Sequence, residues 1–272
     1  MREIRDKVVI ITGSSSGIGY ALAEEFGRLG AKVVISARDI TRLRQAESSL
    51  SSAGIDVLAV NTDVSIENDC KQLIDSAITH FGRIDILVNN AGISMRAVFA
   101  KTNLDVLQKL MDTNFWGTVY CTKYALPHLL KTKGSVVGII SIAGYVGLPG
   151  RTGYSASKFA VRGFLDTLRC ENLKTGLHVL IAAPGFTSSN IRTAALTADG
   201  SPQGETPRNE SNMMPAEVAA RKIVKATIRR KDSIILTMLE GKFTVFLNRF
   251  CPKLVSRMAY HYMSKEPDSP FN

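Results

Sequence analysis

Short runs of aliphatic and β-branched residues alternate along the chain with longer stretches of helical period. Seven runs are continuously apolar, a pattern typical of strands buried on both faces of a parallel sheet. They occupy residues 7–12, 32–37, 56–61, 84–89, 135–141, 178–183 and 233–236. Apolar residues three and four apart predict helices over residues 18–29, 41–53, 68–81, 104–130, 154–174 and 216–230. This order predicts one doubly wound α/β domain, whose seven-stranded parallel sheet is flanked by helices on both faces.

Five glycines stand between a predicted helix and the strand that follows it: Gly30, Gly54, Gly82, Gly134 and Gly176. We expect each to take the left-handed conformation that commonly ends a helix. Right-handed crossovers then bring the carboxyl ends of all strands to one edge, where ligands bind in such sheets. Any chemistry is therefore expected just after the strands.

Two segments depart from the alternation. Residues 187–215 lack periodicity and are rich in Thr, Ser, Pro, Gly and Asn, which is typical of an active-site lid. Residues 241–272 follow the last predicted strand as a basic, amphipathic extension. We therefore divide the chain into a main domain, residues 1–240 with the lid, and the extension 241–272.

The net charge of +10 is concentrated near the carboxyl end of the chain. Residues 221–265 hold 11 basic and 2 acidic side chains, whereas residues 1–220 have a net charge of only +3. The tail has no recognised nucleic-acid motif and its aromatic residues follow an apolar stripe, so no nucleic-acid partner is expected. The four cysteines and four histidines lack metal-ligand or disulfide spacing, so no metal site is expected.

Two features bear on localisation. Residues 1–7 are charged and run directly into the first strand, without the apolar region of a signal peptide. The nearly uncharged residues 134–150 are too short and too interrupted to span a bilayer. We expect a cytoplasmic protein, at most peripheral at a membrane surface.

A glycine-rich sequence, TGSSSGIG, begins at Thr12 and joins the first strand to the first helix. Glycine lets the backbone turn tightly and approach a pyrophosphate, whose charge then faces the helix N-terminus. A glycine-rich turn without a ligand is the alternative. Because the strand, the glycines and the helix occur together, we favour a dinucleotide site formed by Gly13, Ser14, Ser15, Ser16, Gly17, Ile18 and Gly19.

The end of the second strand bears on the choice of dinucleotide. A carboxylate there would bind the ribose hydroxyls of NAD, but Ala37 stands at that position and Arg38 follows it. The guanidinium fork suits a phosphate, which predicts NADP(H), with NAD(H) as the alternative. The other interpretation makes Arg38 a solvated turn residue and Asp39 a helix cap.

Tyr154 and Lys158 are four residues apart on a predicted helix and so share one face. The pKa of a phenol is ~10, and a nearby ammonium group lowers that pKa. Ser141 ends the fifth predicted strand and would hold a carbonyl oxygen beside the tyrosine. Alone, such a pair is commonly helix surface; together with Ser141 and the glycine motif it indicates proton-transfer chemistry.

In this order and spacing the motifs resemble those of the short-chain dehydrogenase/reductase family, in the group with a YxxxK active site. The resemblance covers about residues 7–236 and implies a Rossmann fold. Its motifs are TGSSSGIG, Asp63-Val64, NNAG at 89–92, Asn114, Ser141, YSASK at 154–158, and Pro184-Gly185 with Thr187. Residues 197–201 more weakly resemble the branch of 11β-hydroxysteroid dehydrogenases and acyl-dihydroxyacetone-phosphate reductase-like proteins.

The resemblance implies a role for each catalytic residue. Tyr154 would donate the proton to the carbonyl oxygen, Lys158 would lower its pKa and hold the nicotinamide ribose, and Ser141 would orient the substrate. Asn114 would hold a water that links Lys158 to solvent. The implied cofactor residues are Asp63 and Val64 at the adenine, Asn90, Ala91 and Gly92 along the cofactor, and Pro184, Gly185, Phe186 and Thr187 at the nicotinamide.

The surroundings of the expected site are apolar, which predicts a lipophilic carbonyl or alcohol substrate and a role in lipid metabolism. They include Ile93, Met95, Phe186 and the loop at residues 143–152. We therefore expect an NADP(H)-dependent oxidoreductase. The alternatives are an NAD-dependent dehydrogenase that oxidises an alcohol, and a non-catalytic binding or interaction module that uses the basic tail. Family members commonly form dimers or tetramers through helices corresponding to residues 104–130 and 154–174, which implies a homo-oligomer.

Residues 242–263 combine an apolar stripe with a basic flank. Phe243, Phe246, Leu247 and Phe250 follow helical spacing, with Lys242 and Arg249 beside them. This is the composition of a helix that lies in a membrane interface. Docking on the chain's own domain or on a second subunit stays open at this point.

Overall fold

The protein's computed structural model describes residues 4–188, 191–206 and 213–271. The strands are β1 (Val8–Thr12), β2 (Lys32–Ala37), β3 (Val57–Asn61), β4 (Ile86–Asn89), β5 (Ser135–Ile139), β6 (His178–Ala183) and β7 (Ser233–Ile235). They form one seven-stranded sheet in the order β3-β2-β1-β4-β5-β6-β7, in which each pairing is parallel. The predicted doubly wound α/β fold is confirmed.

Helices cover both faces of this sheet. They are α1 (Gly17–Arg28), α2 (Ile40–Ser52), α3 (Glu67–Phe81), α4 (Leu104–Leu110), α5 (Gly117–Thr132), α6 (Thr152–Glu171), α7 (Ala216–Ile228), α8 (Thr244–Phe250) and α9 (Pro252–Ser264). Val9 and Ile11 of β1 pack with α1, α2 and α7, whereas Val8 and Ile10 pack with α3, α5 and α6. Both faces of β1 are therefore buried, which explains its unbroken apolar sequence.

The strand order reverses beside β1, and this positions the site. From β1 the chain builds outward through β2 and β3 on one side, and through β4 and β5 on the other. The loops that leave the carboxyl ends of β1 and β4 therefore diverge and leave a crevice between them. In open α/β sheets this switch point is where ligands bind.

The predicted glycine caps are correct at four positions and wrong at one. Gly30, Gly54, Gly82 and Gly176 have φ between 73° and 85°. Gly134 does not, because the preceding Lys133 takes the left-handed conformation that ends α5, with φ of 50°. A Cβ atom on Gly134 would overlap the backbone oxygen of Asp85. Glycine is therefore needed there for a close approach of two backbones.

The helix predicted over residues 104–130 is interrupted. Between α4 and α5 the chain forms a π-helical turn, Met111–Trp116. Such turns disturb the register of side chains along a helix and occur frequently at functional sites. The turn contains Asn114, one of the predicted catalytic residues.

The extension after β7 is helical and docks on the rest of the chain. Pro252 begins α9, whose Val255 and Met263 are buried. We call residues 252–271 the C-terminal strap. Of the predicted lid, residues 189–190 and 207–212 lie outside the described residues. At its base Thr187 pairs with Met214 in a parallel bridge.

Candidate active site and cofactor cradle

Hydrogen bonds join the ends of β1 and β4 at the switch point. The Thr12 hydroxyl accepts from the backbone N–H groups of Asn90 (3.1 Å) and Ala91 (3.0 Å). The Asn90 side chain in turn donates to the carbonyl oxygens of Thr12 (2.9 Å) and Gly13 (3.0 Å). Thr12 is not among the residues predicted for the site, although it opens the TGSSSGIG motif.

Two glycines of this motif are required by close backbone contacts. Gly13 has φ of 64°, and a Cβ atom added to it would lie 2.8 Å from the Cα of Ala91. A Cβ atom on Gly19 would overlap the carbonyl oxygen of Gly13. The turn from β1 into α1 is therefore packed against β4 at a separation that excludes side chains.

The N-terminus of α1 is suited to an anion. Its N-cap, Ser16, makes no side-chain capping bond to the described residues, and the first turn carries no acidic side chain. The free N–H groups and the positive end of the helix dipole are thus left for a bound phosphate. Together with the glycine turn, these groups fit the pyrophosphate of a dinucleotide.

Ser14 differs from its neighbours in the motif. It is fully buried, its hydroxyl donates to the Ile11 carbonyl oxygen (2.7 Å), and it accepts from the N–H of Ser36 (2.9 Å). Because a hydroxyl has a single proton, Ser14 has none to donate to a phosphate. It ties the glycine turn to β2, while Ser15 and Ser16 lie nearer the surface.

A cavity of about 300 Å³ follows β2 at the outer end of the crevice. Arg38 and Asp63 line it, with 3.9 Å between guanidinium and carboxylate. Lys109 of α4, a cation that is not among the predicted residues, lines it too, and so do the carboxylates of Asp105 and Asp112. The side chain of Asn61 fixes this strand end by donating to the carbonyl oxygens of Ala37 and Arg38, each at 2.9 Å. Val64 is buried beside the cavity, in contact with Gly117.

Tyr154, Lys158 and Ser141 come together at the other end of the crevice. Tyr154 and Lys158 lie one turn apart on α6, with the ammonium nitrogen 5.9 Å from the phenol ring centre. Ser141 follows β5 and caps a short 3-10 turn, accepting from the N–H of Ala143 at 3.2 Å. The crevice therefore has the phenol of Tyr154, the hydroxyl of Ser141 and the amine of Lys158 at the same end.

Burial raises the pKa of Tyr154 above its usual value, while the Ser141 side chain and the positive charge of Arg151 partly offset that rise. The phenol consequently keeps its proton at neutral pH. Arg151, just before α6, is not among the predicted residues. Its positive charge favours the phenolate form, and the same role for Lys158 stays a prediction.

Lys158 is a buried amine. It is 4% exposed, and burial lowers its pKa from 10.5 to about 8. Its nitrogen donates to the Ile139 carbonyl oxygen at 3.0 Å, and a Cβ atom on Gly92 would lie 3.2 Å away from it. A buried amine with such a pKa can gain or lose a proton near neutral pH.

Asn114 is buried in the π-helical turn, and its side-chain amide makes three hydrogen bonds. It accepts from the N–H of Ile93 (2.8 Å) and donates to the Ile93 carbonyl oxygen (3.0 Å) and to the Ser157 hydroxyl (2.8 Å). Ser157 donates onward to the Tyr154 carbonyl oxygen at 2.8 Å. Asn114 thus fixes α6 against the loop after β4. Its predicted water-holding role stays a prediction, and Ser157 is recognisable only by its place in YSASK.

The segment expected at the nicotinamide follows β6. A Cβ atom on Gly185 would lie 2.5 Å from the Thr237 hydroxyl, so the chain passes close to the strand end of β7. The ring of Phe186 lies 6.3 Å from the ring of Tyr262 in α9. Through Tyr262 the strap therefore reaches the substrate end of the crevice. Pro184 and Thr187 belong to the same segment after β6 as Phe186.

An ion cluster fastens the strap at this end. The buried carboxylate of Glu266 lies 3.4 Å from the Arg96 guanidinium and 3.6 Å from that of Arg151. Arg96 also donates to the Pro267 carbonyl oxygen at 2.5 Å. Arg96 follows β4, so the cluster links the strap to both flanks of the site.

Within the described ranges, no group of three or more His, Cys, Asp or Glu side chains is placed to hold a metal ion. In the same ranges no helix has the length and hydropathy needed to cross a membrane.

Comparisons with known proteins agree with this geometry. The family model described as short chain dehydrogenase matches residues 7–199. "11-beta-hydroxysteroid dehydrogenase A" of Arachis hypogaea is 37% identical over 260 residues, covering 93% of this chain and 74% of the relative. "Dehydrogenase/reductase SDR family member 7B" of Rattus norvegicus is 34% identical over 273 residues, covering 98% and 84%.

Solved structures show the same fold. A short-chain dehydrogenase/reductase from Burkholderia phymatum, in complex with NAD, superposes with a TM-score of 0.84 at 26% identity, covering 93% of this chain and 96% of that one. An alcohol dehydrogenase from Thermococcus sibiricus, complexed with 5-hydroxy-NADP, superposes at 0.75 with 22% identity, covering 85% and 96%. Its likeness shows the fold alone. The chain therefore belongs to the short-chain dehydrogenase/reductase family, as an oxidoreductase that uses a nicotinamide cofactor and has relatives in the 11β-hydroxysteroid dehydrogenase-like branch.

Proposed function

We propose that this protein reduces the carbonyl group of a lipophilic substrate with NADPH, and that Tyr154 donates the proton. The observation that carries the proposal is the partly buried phenol of Tyr154 beside Ser141 at the switch point of the sheet. Bound NADPH would supply the hydride. The chain's own residues must hold the substrate oxygen, deliver one proton and regain it.

Burial suits Tyr154 to the role of donor. Its raised pKa keeps the phenol protonated at neutral pH, so the acid is ready when the carbonyl oxygen becomes negative. The Ser141 hydroxyl lies beside it and would hold that oxygen. Lys158, with a pKa of about 8, is mostly protonated at neutral pH and would resupply the phenolate. The reduction rate is expected to fall as the pH rises above about 8, where Lys158 loses its proton.

An apolar cluster beside Tyr154 supports the proposal of a lipophilic substrate. Met95, Ala97, Val106, Leu110 and Leu196 form a buried cluster against which Tyr154 packs. Phe186 and Tyr262 extend this surface towards the strap. The relative from Arachis hypogaea has a name that denotes a steroid dehydrogenase, which supports a large, mostly apolar ketone or alcohol.

A screen of NADPH oxidation against long-chain ketones, steroid ketones and acyl-dihydroxyacetone phosphates tests the activity, with Tyr154→Phe alongside. We expect this variant to fold and to bind NADPH but to lose about 10²–10⁴-fold in kcat. Tyr124→Phe is the matched control, since the Tyr124 hydroxyl donates to Glu67 on the surface. Undiminished turnover in Tyr154→Phe would refute the mechanism.

The proposed preference for NADPH rests on the cations Arg38 and Lys109, which line the same cavity after β2 as the carboxylates of Asp63, Asp105 and Asp112. A phosphate on the adenosine ribose would meet both cations, and charge-assisted hydrogen bonds contribute about 1.5–3 kcal/mol each. We expect Arg38→Asp to weaken NADPH binding by about tenfold or more and to spare NADH. Arg44→Asp makes the same charge change on α2 outside the cavity. Equal NADPH affinities in the two variants would favour the NAD-dependent alternative.

We also propose a homo-oligomer built on the helices around α4 to α6. Leu104, Trp116 and Phe159 are large apolar residues that these elements leave exposed. Trp116 and Tyr120 stack at 5.6 Å and form a flat aromatic surface. Sedimentation of Phe159→Lys should show a smaller particle than the unmodified chain.

A further inference from the structure

Helices α8 and α9, with the residue that precedes α8, leave one apolar surface without a partner in the described structure. It consists of Phe243, Phe246, Phe250, Leu254 and Met258, each between 49% and 66% exposed. The rings of Phe246 and Phe250 are 5.2 Å apart, so the surface is contiguous across α8. We call these five residues the C-terminal face. Exposed apolar groups of this size and density are uncommon on a soluble surface and mark contact sites.

The charged residues between positions 241 and 265 have a single sign. Residues 241–265 contain five basic side chains and no acidic one. Lys242, Arg249, Lys253 and Arg257 are exposed beside the apolar residues. The face therefore combines large apolar side chains with neighbouring cations, which is the composition of a helix at an anionic membrane interface.

Other residues of the same helices contact the rest of the protein. Val255 and Met263 are buried, and the Asn248 side chain donates to the Tyr145 carbonyl oxygen at 3.4 Å. Tyr262 contacts Phe186, and Glu266 fastens the strap. The face is therefore held in a fixed orientation, next to the substrate end of the crevice.

We propose that the C-terminal face rests on an anionic lipid surface, so that the substrate end of the site opens at the bilayer. The second half of this proposal rests on the proposed reduction of a lipophilic carbonyl. Each basic residue near such a surface contributes about 1 kcal/mol, and the buried rings add roughly 25 cal/mol per Å². The binding is peripheral and reversible.

A second copy of the chain fits the face poorly. A two-fold interface places each residue against the same patch of its partner. The four cations around the face would then meet four more, with no acidic residue between 241 and 265 to offset them. Anionic lipid head groups instead supply the missing charge.

The test is co-sedimentation of the full chain with vesicles of phosphatidylcholine alone and of phosphatidylcholine with phosphatidylserine. We expect binding to the anionic vesicles that weakens with added salt. Phe246→Ser with Phe250→Ser should weaken it about tenfold or more, because two rings leave the interface. Lys253→Glu with Arg257→Glu should weaken it about tenfold or more as well.

Two matched controls separate the face from general surface effects. Leu173→Ser removes a 78% exposed apolar residue outside the face. Lys131→Glu with Lys174→Glu reverses two exposed charges elsewhere. Both controls should bind the vesicles like the unmodified chain, and far-ultraviolet circular dichroism should show that all variants fold.

Three outcomes would overturn the proposal. They are equal binding to neutral and anionic vesicles, an equal loss in controls and face variants, and a dimer that the face variants disrupt without any vesicle binding. The result is independent of the proposed activity, because sedimentation needs no turnover. Vesicle binding that fails while Tyr154-dependent NADPH oxidation persists overturns only this inference. The reverse result overturns only the reductase.

Discussion

The two ends of the crevice are built in different ways. At the cofactor end two backbone segments are in close contact, and Gly13 and Gly19 leave no room for a side chain. Hydrogen bonds between Thr12 and Asn90 join the ends of β1 and β4. At the substrate end, long side chains from distant parts of the chain meet, as when Arg96 and Arg151 enclose Glu266. The first end is held by steric fit and the second by charge. Perturbations of the two ends should therefore have separable effects.

The largest effect is expected from Glu266→Gln. It leaves two arginines facing each other without their carboxylate, and breaking such a buried pair costs about 3–5 kcal/mol. Because the damage lies in the strap, amide hydrogen exchange should accelerate across α9, and KM for a carbonyl substrate should rise. The affinity for NADPH should not change.

Asp268→Asn is the control for this change, since it removes an exposed carboxylate two residues away. It should leave exchange and KM as they are. If Glu266→Gln weakened NADPH binding as much as it raised KM, the two ends would be coupled and the distinction drawn above would be wrong.

Lys158→Met should stabilise the fold while it removes activity. The unfolded chain holds this proton with a pKa of 10.5 and the folded chain with a pKa of about 8. That difference costs the protein roughly 3 kcal/mol at neutral pH, and the lost bond to Ile139 returns about 1, so a net gain of about 2 kcal/mol is expected.

The size of this effect depends on pH. The cost of burying the charged amine is complete below about pH 8 and disappears as the pH rises towards 10.5, where the unfolded chain also loses the proton. Urea unfolding of both proteins across that range should show the gap closing. A gap that widened with pH would mean that Lys158 is not buried as a costly charge.

Gly19→Ala tests the steric end and should have a smaller effect on stability than Glu266→Gln. The added methyl group overlaps the backbone of Gly13, and overpacking of this kind costs about 1–3 kcal/mol. NADPH affinity should fall, because the turn that receives the pyrophosphate must shift. Thermal unfolding and cofactor titration measure the two effects.

Gly163→Ala provides the comparison within a helix. A Cβ atom at Gly163 of α6 meets nothing within 4 Å, so alanine should stabilise the helix by about 0.5–1 kcal/mol. If Gly19→Ala behaved like Gly163→Ala, the close approach at the cofactor end would not be a real constraint.

The difference between the two ends also explains what could be predicted from the sequence. The strands, their parallel order and the cofactor turn are encoded by neighbours within a few residues, as in TGSSSGIG, and these predictions are confirmed for the fold. The link from Glu266 to Arg96 joins residues that are 170 positions apart in the sequence. No local pattern indicates which acid meets which base, so the docking of the strap had to come from the structure.

Two local predictions are wrong. Apolar periodicity continues through residues 104–130, so nothing in it marks the π-helical turn that carries Asn114. Gly134 stands where a cap is expected, yet Lys133 takes that conformation, and Gly134 is instead needed for the close approach to Asp85. The second requirement comes from a residue that is distant in the sequence, so it cannot be read from the local pattern.

The position of the strap in the chain has a consequence for how the protein is made. The strap is synthesised after the sheet and the cofactor turn, and domains begin to fold from the N-terminal side during synthesis. The sheet and the cofactor turn can therefore form before the strap covers the substrate end. A stop codon placed at the start of the strap, before residue 252, should yield a folded protein that binds nucleotide with an open substrate end.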